Sequence, residues 1–373
     1  MKVLHVINSL HTGGAEKLVI LSLPRLKSEG LDVELLLLNG EETPFLKELQ
    51  LNSNIQIKFL GYSFYNPLYI FKLISYLNKY DLIHVHLFPA MYFVALAKVI
   101  SFSKTKIIFT EHSTSNRRLQ NPIYNPIERL IYSIYTSVIC ITEEVKKTLE
   151  DKLHLKNDKF HVIENGIDIN YINKSVAHNR SVYGYHESDK LVCMVAGFRR
   201  EKDHDTVIRA LELLPEKYKL IFIGDGYRME EVKALVASLD ICDRVNFLGI
   251  RNDVFSFIKM SDIAVLSSHW EGFGLAAAEA MACGVPTIAS NVNGLSQVVS
   301  GGGLLFEKGD VVELTRLVSL LEEPLFYKEI SDNGKKKAAC YDISNMIRKM
   351  IVLYTKVTGK MSSLTLNHKN DER

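Results

Sequence analysis

The stretch IAVLSSHWEGFGLAAAEAMACGVPTIAS, residues 263–290, decides the fold. IAVLSS (263–268) and VPTIAS (285–290) are short apolar runs. Between them a glycine-rich turn opens an alanine-rich helix near Leu275. A buried strand, a helix and a second buried strand in so short a span imply parallel pairing, because the chain must cross back before it pairs again.

The same alternation extends in both directions. On the carboxy-terminal side of the chain KLVCMVAGF (190–198), KLIFIG (219–224) and VNFLG (245–249) precede it. An earlier series comprises KVLHVI (2–7), DVELLLL (32–38), IQIKFL (55–60), LIHVHLF (82–88), KIIFT (106–110) and SVICIT (137–142). Segments of helical period separate them, among them Ala15–Lys27, Leu68–Asn78 and Ala90–Ser101. Two series of strand–helix–strand repeats predict an α/β protein with two doubly wound, Rossmann-like domains and a ligand cleft between them at the carboxyl ends of the strands. A polar stretch of little periodicity, DINYINKSVAHNRSVYGYHESD, lies between the series. It places the domains at 1–178 and 179–341, with a last helix over 342–358 crossing back to the first domain. Residues 359–373 lose the apolar period and are expected to be disordered.

Composition excludes several classes. The 373 residues carry 45 basic and 43 acidic side chains, a balance unlike that of a phosphate-tracking nucleic-acid binder. Five scattered cysteines (Cys140, Cys193, Cys242, Cys283, Cys340) without a C-x-x-C imply a reducing compartment and inert thiols. MKVLHVINSL enters a strand without a signal-peptide cleavage site, and no uncharged apolar stretch is long enough to span a bilayer. A cytoplasmic protein is expected.

Four stretches can carry chemistry. In the first, Gly272 and Gly274 permit close backbone approach, and the helix start offers unpaired N–H groups to phosphate or sugar oxygens. Glu271 sits on that turn. Glu279 sits on a helix of Ala, Met and Cys, where a carboxylate needs a partner such as a ribose diol. In the second, VINSLHTGGAEKLV (6–19), Gly13-Gly14 occupies a phosphate-loop position without the dinucleotide or P-loop fingerprint. In the third, VAGFRREKDHDTVIRAL (195–211), Arg199, Arg200 and Lys202 follow a strand, as suits a diphosphate; Asp203 and Asp205 are assigned to helix capping. In the fourth, His112 of TEHS (110–113) follows a strand and faces the expected cleft. His84 and His86 are spaced like a metal pair, but no third ligand is evident, so no metal is assigned.

Together these stretches resemble one family, the retaining GT-B glycosyltransferases of the E-x(7)-E type, family 4-like and typical of bacterial surface polysaccharide synthesis. Glu271 and Glu279 match the motif. GGAE, TEHS, VIENGID, VAGFRREKDH, GDG and EGFGLAAAEAMACGVPTIAS extend the resemblance over nearly the whole chain. It implies a carboxy-terminal nucleotide-sugar domain and an amino-terminal acceptor-side domain. Glu279 would then bind the ribose diol. Glu271, Phe273, Gly274 and Leu275 would hold the donor sugar. Lys202 and Arg199 would neutralise the diphosphate, with Gly14 closing over it, and His112 would contact the sugar near the reacting carbon. The loop at Ile250-Arg251 would border the base. Lys202, Glu271 and His112 would be the catalytic set. No cofactor and no metal are implied.

The chain departs from the family pattern at one cation. Aligned on Lys202, Gly197 stands where many relatives carry Arg, and Arg199 is the candidate substitute. The expected reaction moves a hexose or N-acetylhexosamine from a UDP-sugar to a glycan or polyprenyl-linked acceptor. The alternative is a GT-B-like nucleotide-sugar epimerase, for which no ring-carbon base is evident. A dehydrogenase is disfavoured by the missing G-x-G-x-x-G. Arg117, Arg118 and Arg129 with Leu119, Ile123, Tyr124, Ile127 and Leu130 suggest peripheral contact with an anionic membrane. No nucleic-acid partner is expected.

Overall fold

The computed structural model describes residues 1–113, 117–121, 123–155 and 157–360. The expected tail therefore lies, from 361 onward, outside the described residues. The chain forms two compact units: residues 1–166 with the segment from Ile343 onward, and residues 167–342.

The first unit is a seven-stranded parallel sheet. Its strands are β1 (Lys2–Ile7), β2 (Asp32–Asn39), β3 (Gln56–Gly61), β4 (Leu82–His86), β5 (Lys106–Glu111), β6 (Ser137–Cys140) and β7 (Phe160–Val162), in the order β3-β2-β1-β4-β5-β6-β7. The order reverses between β1 and β4, so their carboxyl ends flank a switch point, where ligands enter doubly wound sheets. The inner strands are buried along nearly their whole length; β4 is buried at every position. That is why they read as continuous apolar runs rather than as alternation.

The register explains the exceptions. His5 of β1 pairs with His84 of β4, and His86 pairs with Thr110 of β5. With period-two alternation all four side chains lie on one face of the sheet. The helix Ile343–Thr358 brings Tyr354 onto the same cluster.

The second unit is a six-stranded parallel sheet of β8 (Lys190–Val195), β9 (Tyr218–Ile223), β10 (Val245–Phe247), β11 (Ile263–Leu266), β12 (Thr287–Ser290) and β13 (Leu304–Phe306), ordered β10-β9-β8-β11-β12-β13. Its switch point lies between β8 and β11. The arginine–lysine stretch leaves β8 and the Glu271 turn leaves β11, so both emerge there.

Two details differ from the sequence reading. The units part at Gly166 and again at Asp342, so residues 167–178 belong to the second unit rather than the first. Lys259 accounts for this. Its Nζ donates to the carbonyls of Ile172 at 2.6 Å and Ser175 at 2.7 Å, capping the short helix Ile169–Lys174. Tyr171 meets Phe255 edge-on, and His178 N–H donates to the Ser256 carbonyl. The sequence reading also lacked β7 and β13. Both are three-residue strands at a sheet edge, too short to stand out as apolar runs.

Candidate functional site

In the second unit the residues singled out around the β8 and β11 turns come together. Arg200–Lys202 form one turn of 3-10 helix, and Asp203, at φ +47°, leads into the helix His204–Leu213. Asp203 accepts from the Thr206 hydroxyl at 2.6 Å and Asp205 pairs with Arg228, so both acids are used in holding this helix start. His204 is buried, stacked on Phe198 at 4.2 Å between ring centres, and burial holds its pKa at about 4.

Serine hydroxyls at the ends of β11 and β12 stitch the turns together. Ser267 Oγ donates to the Asp203 carbonyl at 2.7 Å and to the Lys202 carbonyl at 3.1 Å. The Ser290 hydroxyl donates to the Ser268 carbonyl, and the His269 N–H to that of Glu201. The Lys202 ammonium is thereby placed against the Glu271 carboxylate, and the two form an ion pair. Glu271 also accepts from the Gly272 N–H at 3.2 Å. With side chains about a fifth exposed, this pair keeps its charges at the mouth of the turn instead of in the core.

The glycine turn then enters the helix Leu275–Ala282. Gly274 is its N-cap at φ +88°, a left-handed conformation that L side chains avoid. Gly294, at φ +83°, packs against the turn, and a Cβ there would lie 2.6 Å from the Gly272 carbonyl oxygen. Phe273 is buried edge-on to Tyr341, and Leu275 is the first helical residue. Glu279 is only 4% exposed, an acid carried on a helix otherwise buried through Ala277, Ala278, Ala280 and Met281.

Arg199 is exposed. Its Nε lies 3.7 Å from where a Cβ of Gly197 would be, so its side chain folds back over that glycine. A cavity of about 640 Å³ in this unit lies elsewhere, lined by Tyr171, Lys174, Ile250, Arg251 and Phe255 among others. It includes the Ile250-Arg251 loop and none of Lys202, Glu271 and Glu279.

In the first unit, Gly13 and Gly14 open the helix Gly14–Ser28 after β1, and Gly14 is exposed at its first position. His112 follows β5, its Nε2 3.3 Å from His86 Nδ1. Glu111 holds this strand end by accepting from the Tyr132 hydroxyl and from the Ser113 N–H at 3.2 Å. The third imidazole that the sequence did not reveal is His5, whose Nδ1 lies 3.1 Å from His86 Nε2. It stands mid-strand in an apolar run, and only the pairing of β1 with β4 brings it beside His84.

The segment expected to meet a membrane is divided between inward-turned and exposed side chains. Leu119 is buried, and Arg118 is drawn inward to the buried Glu128 at 2.6 Å and over the Phe88 ring. Ile123, Tyr124, Ile127 and Leu130 are exposed, with Arg129 beside them; the Arg117 side chain lies outside the described residues.

Two doubly wound parallel sheets, with glycine-turn helix starts at their switch points, define the GT-B class of fold. HepE of Anabaena, solved with UDP and glucose, has this fold, with a TM-score of 0.84, 21% identity, and coverage of 95% of this chain and 100% of that one. Residues 12–171 match the family model Glycosyltransferase Family 4, and residues 176–337 match Glycosyl transferases group 1. N-acetyl-alpha-D-glucosaminyl L-malate synthase of Bacillus anthracis is 31% identical over 271 residues, 69% of each chain. The N-acetylgalactosamine-N,N'-diacetylbacillosaminyl-diphospho-undecaprenol 4-alpha-N-acetylgalactosaminyltransferase of Campylobacter jejuni is 25% identical over 353 residues, 90% of this chain and 94% of that one. The chain belongs to the GT-B glycosyltransferases of the family 4 type.

The buried histidines make stability pH-dependent. Burial lowers His5 to about 3 and His112 to about 4, and takes His84 and His86 well below their ordinary value. In the unfolded chain each ring titrates near pH 6.5. Below that pH the unfolded state binds more protons than the folded one. Stability is therefore present above 6.5 and is lost as pH falls towards the folded values. Each ring contributes a slope of up to about 1.4 kcal/mol per pH unit. Calorimetric melting of the first unit is expected to fall steeply between pH 6.5 and 4.5. A flat profile across that range contradicts neutral burial.

Proposed function

We infer that the protein is a retaining glycosyltransferase that moves a hexose or N-acetylhexosamine from a UDP-sugar to a glycan or polyprenyl-linked acceptor in surface polysaccharide synthesis. The observation that carries this reading is the Lys202–Glu271 pair at the glycine turn, one helix start away from the buried Glu279. In the proposed complex Glu279 takes the ribose diol. Glu271 and the backbone of Phe273, Gly274 and Leu275 take sugar hydroxyls, while Lys202 and Arg199 face the diphosphate. Gly14 and His112, from the first unit, act on the same donor.

Breaking the anomeric bond leaves positive charge on the sugar and adds negative charge to the diphosphate. Fixed cations and helix N–H groups aimed at that diphosphate favour the transition state over the ground state. Same-face attack, with a diphosphate oxygen accepting the acceptor's proton, requires no protein nucleophile. Lys202 and Arg199 supply the charge that a metal would otherwise supply. UDP is bound by Anabaena HepE, and a diphospho-undecaprenol acceptor is named for the Campylobacter relative. The malate in the Bacillus relative's name shows that acceptors differ within the family. No helix among the described residues is long and apolar enough to cross a membrane. The exposed Ile123, Tyr124, Ile127 and Leu130 favour peripheral contact with the inner face of the cytoplasmic membrane instead.

A thermal-shift panel of UDP- and GDP-sugars is expected to raise the melting point for a UDP-hexose or UDP-N-acetylhexosamine, by linkage of about 2.7 kcal/mol at a hundred times Kd. Glu279→Ala should weaken that donor on the order of 100-fold, the loss of two charge-assisted hydrogen bonds. Undiminished affinity and turnover in this variant would refute the reading. If Arg199 replaces the family cation, Arg199→Ala weakens the donor about tenfold. Adding Gly197→Arg to it should then restore binding, whereas an inert Arg199→Ala removes Arg199 from the site. In sedimentation with phosphatidylglycerol vesicles, the protein should pellet at low salt and lose this on Ile127→Glu. Failure to pellet at any salt concentration dismisses the membrane contact.

A further inference from the structure

Six side chains in the first unit form one unbranched hydrogen-bonded chain. Thr110 Oγ1 lies 2.6 Å from His84 Nε2, and His84 Nδ1 lies 2.5 Å from the Tyr354 hydroxyl. That hydroxyl lies 3.4 Å from His5 Nε2. His5 Nδ1 is 3.1 Å from His86 Nε2, and His86 Nδ1 is 3.3 Å from His112 Nε2. Both ring nitrogens of His5, His84 and His86 are links in the chain. Nδ1 of His112 is the nitrogen that lies outside it.

We propose that this chain fixes the tautomer of His112, and that Tyr354, carried on the helix Ile343–Thr358, is a positioning residue for that imidazole. The proposal rests on the reading that His112 contacts the donor sugar.

The argument is a count of protons. Burial keeps the four rings neutral, so each carries one N–H and one lone pair. Every link needs one proton. Suppose Thr110 donates to His84. His84 Nδ1–H then donates to Tyr354, whose O–H donates to His5 Nε2. His5 Nδ1–H donates to His86, and His86 Nδ1–H to His112 Nε2, so His112 carries its own proton on Nδ1. Reversing every link puts the proton on Nε2 of all four rings, with Tyr354 donating to His84 and His84 to Thr110. One mixed arrangement also gives every link a proton, with Tyr354 accepting from both His84 and His5, but it leaves the buried Tyr354 O–H without an acceptor among the described residues. Every other mixture sets two lone pairs or two N–H groups face to face in a buried site.

All four rings therefore share one tautomer. Nδ1 of His112 is a donor in the first arrangement and an acceptor in the second, and the choice is made at Thr110 and Tyr354. A single fixed character at that nitrogen would let it select one hydroxyl orientation on a sugar. His5, His84 and His86 also lie close enough to hold a cation, with ligand atoms within 4.8 Å of one another. An ion held by His5 Nδ1 and His86 Nε2 would remove the proton between them and cut the chain, so the two occupants exclude each other.

The test uses the full-length protein labelled with 15N-histidine. Long-range 1H–15N spectra distinguish Nδ1–H from Nε2–H rings, with assignments from single histidine variants. The expected result at pH 7.5 is one common tautomer for His5, His84, His86 and His112. Tyr354→Phe keeps the ring and removes the link, and Thr110→Val cuts the other end. Each should introduce a second tautomer at His112. Each should also slow UDP release from UDP-glucose or UDP-N-acetylglucosamine about tenfold in kcat, with KM held within about twofold. Unlike tautomers in the unaltered protein, an unchanged His112 in both variants, or stoichiometric metal in the purified protein would each overturn the proposal. The reading beneath it fails separately: His112→Ala with undiminished UDP release removes His112 from the donor site, whatever the spectra show.

Discussion

Each sheet is parallel throughout, and the placement of every other feature depends on that constraint. Parallel strands cannot be joined by tight hairpins, so each is followed by a crossover, and every strand-to-helix turn falls at the same edge of its sheet. Where the strand order reverses, the two neighbouring crossovers leave on opposite faces and the edge opens. In the second unit that point lies between β8 and β11, which is why Lys202 and Glu271, 69 residues apart in sequence, can meet as an ion pair. In the first unit it lies between β1 and β4, and the exposed Gly14 and the histidine cluster belong to the same region of the sheet.

The two units handle buried polarity differently. In the second, charge is kept at the surface of the turn. Lys202 and Glu271 remain partly exposed, backbone groups and serine hydroxyls hold their loops, and Glu279 goes deep on the helix that follows. An ion pair taken fully into the core would cost several kcal/mol per ion in desolvation, and keeping it at the rim avoids that cost. The first unit buries polar groups that can be neutral. Four imidazoles, a threonine and a tyrosine satisfy one another on a sheet face, and burial itself holds the rings uncharged. Buried acids there are also partnered, Glu111 by Tyr132 and Glu128 by Arg118 and Tyr92.

Much of this could be read from the chain. The long inner strands stood out because burial on both faces demands continuous apolar runs. The Glu271–Glu279 stretch stood out because glycines beside a carboxylate, followed by a helix of small residues, have few other uses. Shorter elements were not legible. β7 and β13 have three residues each and sit at edges, where little apolar length is required. The sequence places residues 167–178 in the first domain, because the polar, aperiodic stretch that begins at Asp168 gives no sign of which unit they join. They join the second unit through the Lys259 cap and backbone contacts, which leave no periodic trace. In the arginine-bearing surface segment, Arg118 and Leu119 turn inward while Ile123 and Ile127 do not, a division set by Glu128 and the neighbouring rings.

By itself the sequence determined the α/β class, the repeated parallel organisation and the family, because strand length, helical period and glycine position are local properties fixed by backbone sterics and burial. Only the tertiary structure decided which distant side chains meet. His5 acquires its partners from the register of β1 on β4, and Tyr354 joins them because the last helix packs on the first sheet. Arg199 covers Gly197 through the path of a single turn. Those contacts depend on strand order and register, which place residues side by side without regard to their separation along the chain.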